Sequence, residues 1–333
     1  MGSEFLNGPD RLLNLALFGY GNVGRAFARL LHAQRKIFPF RIVAIQTLRH
    51  GTAIDAHGLP LEPDFAKRIE SPAEFLDRAK PEVAIELTTL NPATGEPAIS
   101  HIRAAFARGI HVVTANKGPI AHAYAALAEE ARRAGVEFRF ESIVMDGAPV
   151  FNLVRNNLPG CKIRGFTGVL NSTTNVVIEA MRVGRTLEEG VEEARRIGIA
   201  EADATFDIDG WDAAAKTAAL ANVLMDARAT PLEVDRRGIG RLTPEKLLAL
   251  KAQAKTIRLV SRARTTAGGI KLRVRAEVIA ESDILASTHH TSSLLLLDTD
   301  LMGEIGTVEL NPGVEQTAYG VFSDLVDIAK SSI

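Results

Sequence analysis

"LFGYGNVGRAFARLL", from Leu17 to Leu31, sets three glycines, Gly19, Gly21 and Gly24, between an apolar run and a helix-like stretch. Their spacing is G-x-G-x-x-G. The preceding "LNLALFG" (13–19) reads as a buried strand, and a helix is predicted from Val23 to about Gln34. In a strand–turn–helix of this kind the first glycine permits the tight turn. The second lets a pyrophosphate approach the backbone, and the third lets the helix pack close to the strand. The helix N-terminus attracts the negative charge. A bare glycine pattern is also compatible with a purely structural turn. Its place between strand and helix, at the start of a βαβ series, is what favours a dinucleotide.

Working outward, "FRIVAIQT" (40–47), "EVAIELTT" (82–89), "IHVVTAN" (110–116) and "VEFRFESIV" (136–144) read as further strands. "EPAISHIRAAFARG" and "AHAYAALAEEARRAG" read as helices that stop at Gly109 and Gly135. This alternation implies a parallel sheet, and uninterrupted apolar runs fit strands buried on both faces. Beyond residue 150 the texture changes. "CKIRGFTGVLN" (161–171) reads as a strand, followed by helices over 174–184, 187–197 and 211–227, the last with Asp209 and Gly210 as candidate caps. "GGIKLRVRAEVI" (268–279) and "TSSLLLLDTDLMGEIGTVEL" (291–310) read as antiparallel strands, and "TAYGVFSDLVDIAK" (317–330) as an amphipathic helix. The expected fold class is α/β: a Rossmann-type parallel-sheet domain over 10–150 and a second α+β domain over 151–310. The final helix, about 311–333, is expected to pack back on the first domain.

Composition narrows the classes. The 333 residues carry a formal net charge of -1, with 46% hydrophobic and 24% charged residues. That suits a soluble globular protein and gives no reason to expect a nucleic-acid or membrane-surface partner. No apolar run approaches the roughly eighteen residues of a membrane span. The lone Cys161 rules out an intrachain disulfide and suits a cytoplasmic location. The opening "MGSEF" lacks the basic and apolar segments of a signal peptide and reads as a cloning remnant.

Several positions carry chemistry. The second strand ends "AIQTLRHG" (44–51), with Gln46 and Thr47 where an NAD-binding protein usually places a ribose-binding acid. Without that acid a 2′-phosphate is not repelled, and Arg49 can pair with it, so NADP is favoured over NAD; a solvated loop arginine is the alternative. Lys117, after the strand "IHVVTAN", stands at the sheet edge where ligands lie, and is either a donor to a substrate oxygen or a surface lysine. Asp212 and Lys216 share a helix face, either as an exposed pair or, on so apolar a helix, as a buried functional one. Glu201 lies in an acidic loop that either binds a substrate ammonium or is simply solvated. "FESIVMDGAPV" (140–150) combines Glu141 with a glycine-containing bend, suited either to a hard cation or to joining domains. His289 and His290 are adjacent; read as strand neighbours they point to opposite faces and make a poor chelate, so no transition-metal site is expected.

Taken together, "GYGNVG", "GIHVVTANKGPIA", "FESIVMDGAPV", "GVLNSTTNVVIEAM", "AEADATFDIDGWDAAAKTAAL" and "QTAYGVFSDLV" resemble the homoserine dehydrogenase family, in family order and across nearly the whole chain. The resemblance implies NAD(P)-dependent interconversion of L-homoserine and L-aspartate 4-semialdehyde, on a Rossmann domain plus a dimerising substrate domain. It makes Lys117 and Lys216 the catalytic lysines, with Asp212 beside them. Glu201, Thr174 and Asp212 become substrate-binding residues. Gly19, Gly21, Asn22, Val23, Gly24, Arg49, Thr88, Thr89, Asn116 and Lys117 become the cofactor-binding set. Glu141, Val144, Asp146 and Ala148 would surround a monovalent, sodium-type cation. The expected partners are an amino-acid substrate and a second copy of the chain. The sequence departs from the family pattern at Ser172, where "LNGTTN" is usual, at "VMDG" in place of "VGGG", and at "LNPGVEQTAYG". These changes leave room for a related dehydrogenase of another hydroxy or amino acid, or for an NADP(H)-binding protein without catalysis. The chain ends at Ile333 without a regulatory ACT domain, so threonine feedback through such a domain is not expected.

Overall fold

The computed structural model describes residues 12–200 and 203–331, which form two compact units. The first comprises the chain up to Gly147 together with Val314–Ile333; the second is Ala148–Gly313. Glu201, and the "MGSEF" start, lie outside the described residues.

The first unit opens with β1 (Leu13–Phe18), α1 (Asn22–Gln34), β2 (Phe40–Thr47), β3 (Gly51–Ile54) and α2 (Pro72–Ala79). It continues with β4 (Val83–Glu86), α3 (Ala98–Phe106), β5 (His111–Thr114), α4 (Lys117–Ala134) and β6 (Phe138–Arg139). The sheet order is β3-β2-β1-β4-β5-β6. Every pairing is parallel except β2–β3, an antiparallel hairpin that the alternation of strands and helices did not announce. The order reverses between β1 and β4, so the crevice beyond their carboxyl ends is where such sheets take a ligand.

Two expected strands are shorter than their apolar runs. "EVAIELTT" leaves the sheet after Glu86, and "VEFRFESIV" pairs only at Phe138–Arg139 before a 3-10 turn over Glu141–Ile143. Hydrophobicity reported burial correctly there, since Ile143 and Val144 are buried, but burial alone does not specify pairing. The helix expected from Ala121 is preceded by a further helical turn from Lys117, capped by Asn116 accepting from the Gly118 amide at 2.9 Å, and the backbone kinks at Ala123, φ -141°, between the two segments.

The second unit comprises α5 (Phe151–Asn157), β7 (Ile163–Val169), α6 (Ser172–Met181), α7 (Leu187–Arg196), α8 (Thr205–Ile208) and α9 (Trp211–Met225). Then come β8 (Asp235–Arg237), α10 (Pro244–Lys251), β9 (Lys255–Thr266), β10 (Gly269–Ala280), β11 (Ser293–Thr299) and β12 (Glu304–Glu309). Its sheet runs β12-β11-β7-β9-β10-β8, antiparallel except for the β10–β8 edge. β9 was not foreseen: arginines at 258, 262 and 264 interrupt its apolar pattern. Arg258 is fully buried, with its guanidinium donating to Thr288 Oγ1 and the Ala286 carbonyl, both at 3.1 Å.

The final helix, α11 (Val314–Ser331), belongs to the first unit. Its Ala318, Val321, Leu325 and Ile328 join Phe27 and Leu31 of α1 and Leu13, Leu15 and Leu17 of β1 in one hydrophobic core. Each large aliphatic side chain so buried contributes about 1.5–3 kcal/mol. Among the described residues no helix is long and apolar enough to cross a membrane.

Candidate active site

In the first unit the three glycines have three different surroundings. Gly19 has a φ of +99°, and a Cβ there would lie 2.7 Å from the Leu87 carbonyl oxygen. Gly24 packs against the Gly19 carbonyl and the Leu87 side chain. A Cβ on Gly21 would meet nothing within 4 Å. The turn is thus closed at its first and third glycines and open at its second, which is the shape a pyrophosphate needs. Gly21 is also the N-cap of α1 and supplies no capping side chain, so the first amides of that helix present their partial positive charge to the open side. Asn22 is exposed beside it and Val23 half-buried. These features fit a dinucleotide, whose pyrophosphate the loop and helix end would hold.

Across the crevice, Thr88 is half-buried and Thr89 exposed. A buried carboxylate organises this edge. Glu86, 1% exposed, accepts from the Thr88 amide at 3.2 Å, from the Thr88 hydroxyl and from Thr114 Oγ1 at 3.3 Å. His101 faces it at 3.5 Å and stacks on Phe18. Thr114 Oγ1 also accepts from the Asn116 amide at 3.0 Å, and Asn116 Nδ2 donates to the Thr88 carbonyl at 3.1 Å. The network ties the end of β4 to the first turn of α4, where Lys117 is half-buried at the first helical position. Glu86 escaped the sequence reading because nothing along the chain distinguishes a strand-end glutamate from a solvated one.

Gln46 and Thr47 are buried at the end of β2. Gln46 donates to the Ile69 carbonyl, and Thr47 Oγ1 accepts from the His50 amide at 2.9 Å. Arg49 is exposed in the turn between β2 and β3.

In the second unit, Asp212 and Lys216 lie on α9 with Lys216 Nζ 3.4 Å from Asp212 Oδ2. Their side chains are only 12% and 17% exposed, so this is not the solvated surface pair. Lys216 Nζ also donates to the Leu170 carbonyl at 2.6 Å, which fixes the ammonium at the end of β7. The N-terminus of α9 has no side-chain cap; Gly210, at φ +80°, makes the turn instead of Asp209.

The hub of this site is Asn171, the N-cap of α6. Its Oδ1 accepts from the Thr174 amide at 2.8 Å, and its Nδ2 donates to Asp207 Oδ1 at 2.6 Å and to Asp212 Oδ2 at 2.9 Å. One side chain therefore begins a helix and bridges two carboxylates. Burial and the charge of Asp212 push the Asp207 pKa up; the bonds from Asn171 and Thr173 and the Lys216 charge oppose the rise. Thr174 is fully buried, with its hydroxyl donating to the Asn171 carbonyl at 3.0 Å. Asn171 and Asp207 were not singled out from sequence. The readable signal was a polar N-cap before "STTN", together with an aspartate five residues ahead of Asp212.

The bend over 141–147 is fastened to α11. Asp324 Oδ2 accepts from the Glu141 amide at 2.7 Å, and Ser142 Oγ donates to the Thr317 carbonyl at 2.8 Å. Glu141 and Val144 are buried. Asp146 holds a φ of +42°, and its carboxylate accepts from Thr317 Oγ1 at 2.7 Å. Ala148, also buried, begins the second unit. His289 and His290 depart from the strand reading: both precede β11, in a turn, and His289 Nδ1 and His290 Nδ1 lie 2.9 and 3.6 Å from Glu179.

Comparison with known proteins follows the same two parts. The family model for homoserine dehydrogenase matches residues 149–326, and that for the homoserine dehydrogenase NAD-binding domain matches 19–141. A homoserine dehydrogenase of Methanocaldococcus jannaschii is 34% identical, over 96% of this chain and 99% of the relative. The chain belongs to the homoserine dehydrogenase family. An NAD(+)-dependent homoserine dehydrogenase of Pseudomonas canavaninivorans is 33% identical over 96% of each chain. Among solved structures, that of Thiobacillus denitrificans homoserine dehydrogenase has a TM-score of 0.83 at 28% identity, covering 97% of this chain and 74% of the other. A hyperthermophilic archaeal homoserine dehydrogenase in complex with NADPH has a TM-score of 0.81 at 28% identity, covering 97% and 99%.

Homoserine dehydrogenases are NAD(P)-dependent oxidoreductases acting on a CH–OH group, and the amino-acid substrate and dinucleotide expected from sequence are those of the family. Two departures from the family pattern have structural partners here. Ser172 Oγ donates to the Thr291 carbonyl at 3.0 Å, tying the start of α6 to the turn before β11. Asp146 exchanges a conformationally free glycine for a left-handed aspartate held by Thr317.

Proposed function

We propose that the chain interconverts L-homoserine and L-aspartate 4-semialdehyde with NADP(H) in preference to NAD(H), using Lys216 and Lys117 as its catalytic lysines. The observation that carries the assignment is the shielded Asp212–Lys216 pair with its ammonium fixed on the Leu170 carbonyl. The dinucleotide, when bound, supplies or accepts the hydride at the carbon bearing the substrate oxygen. In the reducing direction that oxygen gains negative charge, and the Lys216 ammonium stabilises it. Asp212 keeps Lys216 charged and aimed. Lys117, or a water, supplies the proton that completes the alcohol. Asp207, Glu201 and Thr174 bind the amino-acid end of the substrate. Asp207 is added because Asn171 joins it to Asp212.

On the cofactor side, the assigned set is Gly19, Gly21, Asn22, Val23, Gly24, Thr88, Thr89, Asn116 and Lys117, with Arg49 pairing the 2′-phosphate. Gln46 and Thr47 leave no acid at the end of β2, which supports NADP. The archaeal relative in complex with NADPH agrees with this preference, whereas the NAD(+)-dependent relative favours the other dinucleotide. The bend offers one buried carboxylate, Glu141, and backbone carbonyls of Val144, Asp146 and Ala148, a hard-oxygen donor set suited to a monovalent cation. A homodimer is assigned to the face of the second sheet, where a groove of about 420 Å³ is lined by Arg262, Arg273, Asp298 and Glu304, both arginines also pairing with Glu277 of the same chain.

The decisive assay follows the reduced-nicotinamide absorbance with homoserine and either NADP or NAD. Rapid, Lys216-dependent reduction that is faster with NADP is expected. Cofactor binding without reduction would refute the reading; faster reduction with NAD would refute the Arg49 argument.

A further inference from the structure

A second concavity in the second unit lies apart from the acid–lysine site. It is a cavity of about 350 Å³, within the range of small-molecule sites, bounded by β8, the loop after it, α10 and the β9–β10 pair. Arg237, Arg241, Lys246 and Arg275 stand around it, and Ile257 and Val278 supply apolar wall. Asp235 answers Arg275 at 2.5 Å. Among the described residues no carboxylate forms an ion pair with Arg237, Arg241 or Lys246. The whole chain carries a formal charge of only -1, so three uncompensated cations at one concavity do not reflect a generally basic protein. Guanidinium forks match the paired oxygens of carboxylates and phosphates, and lysine adds a point charge. An apolar wall beneath them favours a ligand with a hydrocarbon segment over a bare inorganic ion.

The wall of this cavity is bonded to the catalytic helix. Arg236, next to Arg237, lies 3.7 Å over the Trp211 ring and donates to the Asp209 carbonyl. The Ile239 amide donates to the Ile208 carbonyl at 2.8 Å. Gly238 packs so closely on the Ile208–Asp209 backbone that a Cβ would collide with it. The segment 236–239 therefore braces the α8–α9 turn, which lies between Asp207 and Asp212.

We propose that this cavity binds a small organic dianion with a short aliphatic segment, and that its occupancy adjusts turnover through the braced α8–α9 turn. The second half rests on the catalytic reading of Asp212 and Lys216; the first does not. Trp211 is the only tryptophan and serves as the reporter. Adipate is titrated into the full-length protein in the presence of saturating homoserine, with inorganic phosphate as the comparison. Expected is a saturable change in Trp211 emission with adipate, at least tenfold weaker with phosphate. Arg241→Ala and, separately, Arg237→Ala should weaken adipate at least tenfold, with homoserine oxidation in its absence unchanged. Saturating adipate should change kcat or KM for homoserine in the wild-type chain and not in Arg241→Ala. No saturable emission change, or equal adipate affinity in both arginine variants, overturns the site. Equal affinity for adipate and phosphate overturns the aliphatic requirement. Intact binding with unaltered kinetics overturns the coupling.

Discussion

At Lys216 a single ammonium has two fixed partners, the Leu170 carbonyl and the Asp212 carboxylate, on a helix in which six of fifteen residues are alanine. Lys216→Ala is expected to lower kcat about 10²- to 10⁴-fold, the range of a lost acid–base or oxyanion-stabilising group, while NADPH binding persists. Near-normal turnover in that variant would remove Lys216 from the mechanism. Asp207 makes a second prediction, on stability. Its folded-state pKa is raised by burial and by Asp212. The folded chain therefore holds that proton longer than the unfolded chain, and ionisation costs stability as pH rises through the raised value. Asp207→Asn should match wild-type below about pH 4, where aspartate is protonated in both states, and become relatively more stable toward neutrality. Thermal unfolding across that range checks it, and a gap independent of pH would count against the assignment. Residue types and spacing announced Lys216 and Asp212. They did not announce Asn171, because an asparagine that caps one helix and bridges two carboxylates is defined by elements distant along the chain.

The glycine-rich turn was legible at the scale of elements because each glycine answers a local steric demand. The structure separates those demands. Gly19 is required by a positive φ and by the Leu87 backbone, whereas Gly21 is required by nothing in the protein. Gly19→Ala should cost about 1–3 kcal/mol of stability, as strained backbone positions do, and lower the melting temperature. Gly21→Ala should leave the melting temperature within a degree or so and instead weaken NADPH binding, measured by fluorescence titration. Equal losses of stability in the two variants would contradict the reading of Gly21 as the face open to the pyrophosphate. Elsewhere apolar runs located burial better than pairing. The stretch 136–144 is buried throughout much of its length yet pairs over two residues, since its backbone turns at Glu141 to meet Asp324 and Thr317 of α11. Those partners lie more than 170 residues away in sequence, beyond the reach of any local pattern.

For the whole molecule, the open face of the second sheet carries charges of both signs, with Arg262 and Arg273 paired to Glu277 and with Asp298 and Glu304 in the same groove, and it is the face to which the proposed homodimer is assigned. The chain should sediment at twice its monomer mass, and Arg262→Glu with Arg273→Glu should shift it toward monomer by repelling Glu304 and Asp298; a wild-type monomer at micromolar concentration would overturn the dimer. The amino-acid sequence by itself determined the strand–helix alternation of the first sheet domain except for β3 and α2, the glycine turn and the Asp212–Lys216 spacing, because each is written in contiguous residues obeying local periodicity or sterics, and its motifs in their order carried the family resemblance. Tertiary structure alone decided that the Asp212–Lys216 pair is shielded, that Asn171 joins it to Asp207 and that Glu86 governs Thr88 and Asn116. It alone also decided that four cations from β8, α10, β10 and an intervening loop converge on one cavity. Those properties depend on burial and on contacts between residues remote in the chain, and a side chain's dielectric surroundings and partners are set only when distant elements pack.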